Sequence, residues 1–122
     1  MTCPYCGKLA EWCSNEKIYG RRYGKSYMAY YCQPCDAYVG CHNNTPQALG
    51  IMANKELRKL RTDCHKLFDK FWVGKNARKA CYAWLQWKMK LPPNLAHIGM
   101  FDKEKCLKLL EILKEEQLCQ TN

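Results

Sequence analysis

The chain has 122 residues, with 20 Lys and Arg against 11 Asp and Glu, and its formal net charge is +9. At 48% hydrophobic and 12% aromatic residues it can bury enough apolar surface to fold, so the composition excludes a disordered tail. No apolar run is long enough to span a membrane, and the first twenty residues contain no signal-peptide segment. We therefore expect a cytoplasmic protein with no membrane partner.

Ten of the residues are cysteines, which indicates either a disulfide scaffold or a metal site with additional thiols. Four of them form two C-x2-C pairs, Cys3 with Cys6 and Cys32 with Cys35, and the other six are scattered. Secreted scaffolds do not usually combine such pairs with single cysteines in helical segments. The pattern therefore favours a reducing compartment, where thiolates stay available to a metal and buried cysteines act as small hydrophobic residues.

The N-terminal third of the chain has the composition of a small β-ribbon. Short segments rich in Tyr, Trp and Ile alternate with Ser-Asn and Gly-rich turn signals, which predicts strands at 9–13, 17–19 and 26–31. Residues 42–52 contain Asn, Thr, Pro and Gly and are typical of a connector. We predict an α+β protein in which a zinc ribbon, residues 1–42, packs as one unit with a basic three-helix region, residues 43–122.

Three helices are predicted from the spacing of apolar residues beyond the connector. The first begins after Asn54 as N-cap and ends near Gly74. The second follows Asn76 and runs to about residue 90, before Pro92-Pro93. The third has Asp102 as N-cap and ends near residue 118. The predicted buried stripe of the second helix is Ala80, Trp84, Trp87 and Leu91.

The cysteine pairs predict a zinc site. A tetrahedral zinc ion takes four ligands, and each C-x2-C turn supplies two thiolates, so we predict Cys3, Cys6, Cys32 and Cys35 as ligands of one structural Zn²⁺. Gly7 follows the first pair, as is common in such turns, whereas Asp36 follows the second. Cys41 and His42 could replace one ligand or form a second site. Because the two pairs already complete a tetrahedral set, a packing role for Cys41 is favoured.

Positive charge concentrates in the middle of the chain, where residues 51–90 hold eleven Lys and Arg against three acidic residues. On the first helix Arg58, Arg61, His65 and Asp69 share one stripe, which is either a phosphate-contacting row or a solvated edge where Asp69 pairs with His65. Neighbouring cations such as Lys55, Lys66 and Lys70 extend the surface. The predicted DNA- or RNA-binding residues are Arg21, Arg22, Lys25, Arg58, Lys59, Arg61, Lys75, Arg78 and Lys79.

Arg21, Arg22 and Lys25 lie at the predicted hairpin tip among tyrosines. Basic residues interleaved with aromatic residues can hold phosphates and stack on exposed bases, which suits single strands, RNA and duplex ends. The alternative is a soluble turn whose tyrosines pack on the sheet.

A catalytic function has less support. His42, His65 and His97 could converge with Asp69 on a metal or acid–base site, as a metal-dependent nuclease would require. The sequence contains no Gly-rich phosphate loop, no H-E-x-x-H and no G-x-S-x-G. We therefore expect no catalytic residues.

Several motifs together resemble a known family. They are Cys3-Pro4-Tyr5-Cys6-Gly7, the CxxCDAYVGCH segment over 32–42, Glu56-Leu57-Arg58, Phe68-Asp69, Tyr82-Ala83-Trp84-Leu85 and His97-Ile98-Gly99. With these, nearly the whole chain is similar to the zinc-finger-containing domain family of phages and prophages. The resemblance implies a zinc-binding phage or prophage protein in a host cytoplasm, and it implies no particular activity.

From these observations the predicted function is non-catalytic nucleic-acid binding by a regulatory or host-modulating protein. The alternative is a protein-interaction module that inhibits a host or defence complex by binding its acidic surface. Exposed apolar residues at the hairpin or on the third helix would favour the protein partner, whereas a continuous basic stripe would favour nucleic acid.

Overall fold

The computed structural model describes residues 1–72 and 77–120, except for the side chains of residues 77–78 and 117–120. The chain forms two compact units, Met1–Glu56 and Leu57–Asn122. A small antiparallel sheet in the first unit and helices in the second confirm the predicted α+β class. The predicted domain boundary at residue 42 stays a prediction. In the described part of the chain, no helix combines the length and hydrophobicity that crossing a bilayer requires.

The first unit is built on a sheet of three antiparallel strands in the order β1-β2-β3. Its strands are β1 (Glu11–Ser14), β2 (Met28–Cys32) and β3 (Ala37–Gly40). Tyr30 in the central strand stands opposite Trp12 on one side and Val39 on the other, so these residues form one row across a single face. Tyr30 and Val39 pack against a small core of Cys3, Cys32, Ala37 and Met52.

The sequence prediction for this unit was wrong in two places. Residues predicted as a strand at 17–19 form a short helix, α1 (Glu16–Tyr19), and β3 was not expected as a strand. The helix forms because Ser14 and Asn15 precede it and Gly20 ends it at φ 82°, where its N–H donates to the Glu16 carbonyl at 2.8 Å. These end signals outweigh the strand preference of Ile18 and Tyr19.

Part of the predicted connector returns along β3. Tyr38 and Ala53 exchange two backbone hydrogen bonds of 3.2 and 3.0 Å, and the Leu49 N–H donates to the Gly40 carbonyl at 2.9 Å. This return places the fully buried Met52 beside Cys3 and Cys32. Met52 therefore completes the core under the cysteine pairs, whereas Leu49 and Ile51 of the same segment are exposed.

The longer helices are α2 (Lys55–Phe71), α3 (Ala77–Met89) and α4 (Lys103–Gln120), at positions close to those predicted. Two 3-10 turns, His42–Asn44 and Ile98–Met100, lie in the connecting segments. The predicted end near Gly74 lies outside the described residues. The core of the second unit consists of Leu57, Cys64, Phe68, Cys81, Leu85, Met89, Cys106, Leu109 and Leu113, with further residues from the α3–α4 connection.

The buried stripe of α3 differs from the prediction. Cys81, Leu85 and Met89 are buried at spacings of four, whereas Ala80 is exposed and Trp87 is 70% exposed. Both stripes have helical spacing, so periodicity alone cannot choose between them. Trp84, a member of the predicted stripe, is half-buried, and its ring stacks on Phe71 of α2 with centroids 5.7 Å apart, so it lies at the edge of the buried face.

The N-cap of α4 provides a test of this fold. The Asp102 carboxylate accepts the Lys105 N–H at 2.9 Å, so Asp102→Ala removes the cap and we expect a loss of about 1 kcal/mol in the free energy of unfolding. Asp102→Asn keeps an acceptor and loses the ion pair with Lys105, so its loss should be less than half as large. Urea unfolding followed by circular dichroism in excess zinc measures both, and equal losses would contradict the capping role.

Candidate functional site

The four paired cysteines are presented by two tight turns of the first unit. The first turn lies in a small hairpin closed by the Thr2–Leu9 bridge, where the Gly7 N–H donates to the Cys3 carbonyl at 2.9 Å. The second turn joins β2 to β3, because Cys32 is the last residue of β2. Gly7 at φ 78° and Asp36 at φ 50° both have left-handed backbone. Asp36 therefore adopts the conformation that glycine supplies in the first turn.

The four sulfur atoms lie within 4.8 Å of one another. The Sγ atoms of Cys6 and Cys32 are 3.7 Å apart, and all four thiols are free of disulfides. A tetrahedral ion with Zn–S bonds of about 2.3 Å separates its sulfur ligands by about 3.8 Å. The arrangement therefore fits one zinc ion held by Cys3, Cys6, Cys32 and Cys35.

The electrostatics of the cluster also fit a divalent cation. Burial raises the pKa of Cys3, but backbone amides of Tyr5 and Cys6 and the neighbouring thiols outweigh it and lower the pKa to about 7. Burial, followed by the neighbouring thiols, raises the pKa of Cys35 to about 12. Four thiolates this close repel one another, whereas a bound Zn²⁺ compensates their charge and keeps each thiol deprotonated.

A closed four-thiolate site has no open coordination position, so zinc bound there cross-links the chain and has no position for a substrate. The cross-link joins residues that are 26 positions apart, Cys6 and Cys32. Such a link stabilises a ribbon whose own core is small, because metal binding contributes directly to the folding free energy.

Tyr5, between the first two cysteines, connects the site to the segment behind it. Its hydroxyl donates to the Met52 carbonyl at 3.3 Å and accepts the Asn54 N–H at 3.2 Å. Met52 packs against Cys3 and Cys32. The first cysteine turn and residues 52–54 therefore hold each other in place, which sequence spacing did not reveal.

The sequence comparison agrees with this geometry. A family model described as a zinc-finger-containing domain matches residues 1–116, nearly the whole chain. The chain belongs to this family. Neither the curated proteins nor the solved structures provide a match. The function of the zinc-finger-containing domain family is unknown, so membership supports the metal and does not identify a partner.

In this member of the zinc-finger-containing domain family, Cys41 and His42 lie apart from the sulfur cluster. Cys41 is buried, and burial raises the pKa of its thiol despite a hydrogen bond with Trp12. His42 is exposed and begins a 3-10 turn. Among the side chains that the structure describes, the four paired cysteines are the single group of three or more that could hold a metal.

The histidines and Asp69 are therefore not gathered into a metal-ligating group. His65 and Asp69 are exposed on α2, and the exposed His97 contacts the Tyr82 ring at a centroid distance of 5.9 Å. Two thiols of the second unit, those of Cys64 and Cys106, are buried in its core. Burial raises the pKa of both Cys64 and Cys106, and the Cys64 thiol donates to the Cys106 carbonyl at 3.4 Å.

The predicted hairpin tip is an exposed loop over residues 20–27, which we call the basic loop. Arg21, Arg22 and Lys25 are exposed on it, and no acidic residue occurs between residues 17 and 35. The Arg21 guanidinium lies 4.7 Å from the Tyr23 ring centroid, and that of Arg22 lies 4.3 Å from the Tyr27 centroid. These arginines therefore stack on tyrosine rings. Because this loop has no carboxylate, their positive charge is uncompensated within it.

Two asparagine side chains hold the backbone of the basic loop. Asn15 donates to the Tyr23 carbonyl and accepts the Tyr23 N–H, both at 3.0 Å. Asn44 accepts the N–H groups of Tyr27 and Met28 at 2.7 and 3.1 Å and donates to the Lys25 carbonyl at 3.1 Å. Sequence analysis missed both residues, because side-chain capping of a distant loop has no spacing signature.

The predicted cations of the second unit separate into two groups. Arg58 and Arg61 are half-buried, and the Arg61 Nε donates to the Phe101 carbonyl at 2.8 Å. Lys59, Lys66 and Lys70 are exposed on α2, and Lys59 pairs with Asp63 at 3.1 Å. Lys79 is exposed on α3, whereas Lys75 and the Arg78 side chain lie outside the described residues.

Loss of one thiol tests the metal site. Cys35→Ser should lower bound zinc from one ion per chain to well below one and unfold the ribbon, because three thiolates and a hydroxyl hold zinc poorly. Cys13→Ala is the control, since Cys13 is buried in the same sheet and is not a member of the cluster. Atomic emission spectrometry measures the ratio of zinc to protein. One full zinc ion per chain in the Cys35 variant would mean that another residue is the fourth ligand.

A milder change tests the Tyr5 tether. Tyr5→Phe keeps the ring and removes both hydrogen bonds, so we expect zinc affinity to fall about fivefold, equivalent to about 1 kcal/mol. Competition with a chromophoric chelator measures the affinity. Tyr82→Phe is the control, because Tyr82 is half-buried on α3 of the second unit and is far in sequence from both cysteine turns. An equal fall in both variants would argue against the tether.

Proposed function

We propose that this protein is a zinc-stabilised, non-catalytic nucleic-acid-binding protein. The observation that carries the proposal is the basic loop, where three exposed cations project from a backbone that two asparagines hold in place. Arginine suits phosphate, because its planar guanidinium offers several N–H donors in a fixed arrangement.

The rigid backbone of the loop matters for affinity. A flexible basic segment loses conformational freedom when it binds, and that loss opposes binding. Here Asn15 fixes the backbone of Tyr23, next to Arg22, and Asn44 fixes that of Lys25 and Tyr27, so less freedom remains to be lost. Each phosphate that the loop neutralises also releases condensed counterions, which favours binding at low salt.

A second basic surface supports the same function. Lys59, Lys66 and Lys70 follow one another along the exposed side of α2. At a rise of about 1.5 Å per residue the row is about 16 Å long, which covers about five phosphates of one DNA strand. Because Arg58 and Arg61 are half-buried, the lysines replace the arginines as the proposed contacts of this helix.

Binding without catalysis fits the rest of the site. A four-thiolate zinc has no position for a substrate, and the described residues contain no second metal-ligating group. A small basic protein of this kind suits a regulatory or host-modulating role. The phage source implied by the resemblance stays a prediction.

A protein partner is the second candidate, favoured by one observation. Trp87 is 70% exposed on α3, and the Lys88 ammonium lies 4.9 Å from its ring centroid. Exposed tryptophans are enriched in interface hot spots. Lys88 is already paired with Glu116 at 2.6 Å, so the charge that an acidic partner would complement is the net positive charge of the chain. The partner would then be a host or defence complex that this chain inhibits.

Charge removal in the basic loop tests the proposed function. In the zinc-loaded protein, Arg21→Gln with Arg22→Gln should weaken binding to labelled DNA and RNA. On single strands it should also make the slope of log affinity against log salt shallower, by about 0.7 for each phosphate that the variant no longer neutralises. Fluorescence anisotropy across a salt series gives both quantities.

Lys108→Gln with Lys114→Gln is the matched control, because it removes the same charge from exposed positions of α4. Equal effects of the two double variants would mean that the loop contributes to binding only through its share of the overall positive charge. No binding of the native protein near physiological salt would refute the nucleic-acid function and make the acidic protein partner the leading candidate.

A further inference from the structure

Two tyrosines of the ribbon are exposed like the arginines beside them. Tyr19, at the end of α1, is 47% exposed, and Tyr23, in the basic loop, is 46% exposed. Their rings meet edge to face with centroids 5.1 Å apart and an interplanar angle of 85°. Tyr19 also contacts the Tyr38 ring of β3 at 5.8 Å. The pair is therefore fixed against the sheet while much of its aromatic surface faces solvent.

The adjacent arginines extend this aromatic surface. Arg21 lies over the Tyr23 ring and donates to the Tyr23 hydroxyl at 3.0 Å, which orients both groups. A guanidinium stacked on a ring has a second planar face to which a base can stack, and its remaining N–H groups can donate to phosphate. Stacking and charge are thus combined within five consecutive residues, 19–23.

This combination discriminates between nucleic-acid forms. In a duplex the base faces are covered by their neighbours, so exposed tyrosine rings gain little from it, and only phosphates and the base edges in the grooves are available to the arginines. In a single strand the unstacked bases are free to pack on aromatic rings and guanidinium planes.

We propose that residues 19–23 form a binding site for single-stranded nucleic acid. Unpaired bases stack on Tyr19 and Tyr23, and the flanking phosphates are held by Arg21 and Arg22. The inference rests on the proposed nucleic-acid function and adds to it the strandedness of the ligand and the residues that select it.

The test compares four labelled probes of equal length: oligothymidylate, oligouridylate, an abasic single strand and a DNA duplex. The abasic strand carries the same phosphates without bases. At fixed moderate salt the native protein should bind oligothymidylate and oligouridylate about tenfold or more tightly than the abasic strand. The reason is that each stacked base contributes about fivefold to hundredfold in affinity.

Variants of the tyrosines identify the site. Tyr19→Ala with Tyr23→Ala should remove the preference for bases over the abasic strand, because both stacking rings are lost. Tyr19→Phe with Tyr23→Phe keeps both rings and should keep the preference. If the double alanine variant loses zinc or its circular dichroism signal, Tyr23→Ala alone provides the test, because Tyr23 lies outside the paired strands of the sheet.

The outcomes separate the inference from the proposed function. Equal affinity of the native protein for oligothymidylate and the abasic strand would overturn the inference. So would a base preference that persists in the folded alanine variant, or duplex binding as tight as single-strand binding. If the variant with Arg21→Gln and Arg22→Gln still binds nucleic acid more weakly than the native protein in those cases, the nucleic-acid function stands. Failure of every probe to bind the native protein refutes both the inference and the proposed function.

Discussion

Four thiol sulfurs within 4.8 Å of one another are the constraint on which the first unit depends. They join a hairpin at the start of the chain to the β2–β3 turn, and Met52 packs beneath them. The sheet itself has three strands of four or five residues over a core of only four buried residues, so metal binding adds folding free energy that so small a core does not supply. Charge compensation by a divalent cation converts a group of mutually repelling thiolates into a cross-link.

The metal site and the basic loop lie in the same unit and share its framework. β2 ends at Cys32, in the metal site, and its first residue, Met28, is held by Asn44. Asn44 and Asn15 extend this order to residues 23–28 through five side-chain hydrogen bonds. A loop of three cations with no carboxylate is electrostatically unfavourable by itself, and the tyrosine rings beneath Arg21 and Arg22 offset part of that cost.

Cysteines serve two different purposes in this chain. Those of the cluster lie in turns, where backbone amides donate to sulfur and lower the pKa of Cys3. Cys64 and Cys106 of the helical unit are fully buried, and burial raises the pKa of each. A protonated thiol in an apolar core behaves as a small hydrophobic residue, so these cysteines contribute packing.

The sequence by itself determined the zinc ligand set, the α+β class and the positions of the three long helices. Each rests on local chemistry: C-x2-C spacing, apolar periodicity, and caps such as Asp102. Tertiary structure decided what such patterns leave open. It placed the Cys81 face of α3 in the core and left Trp87 70% exposed, a choice that apolar periodicity leaves open because both faces have helical spacing. It also turned Arg61 toward Phe101 and placed Asn15 and Asn44 on the basic loop, since contacts between residues distant in sequence have no local signature.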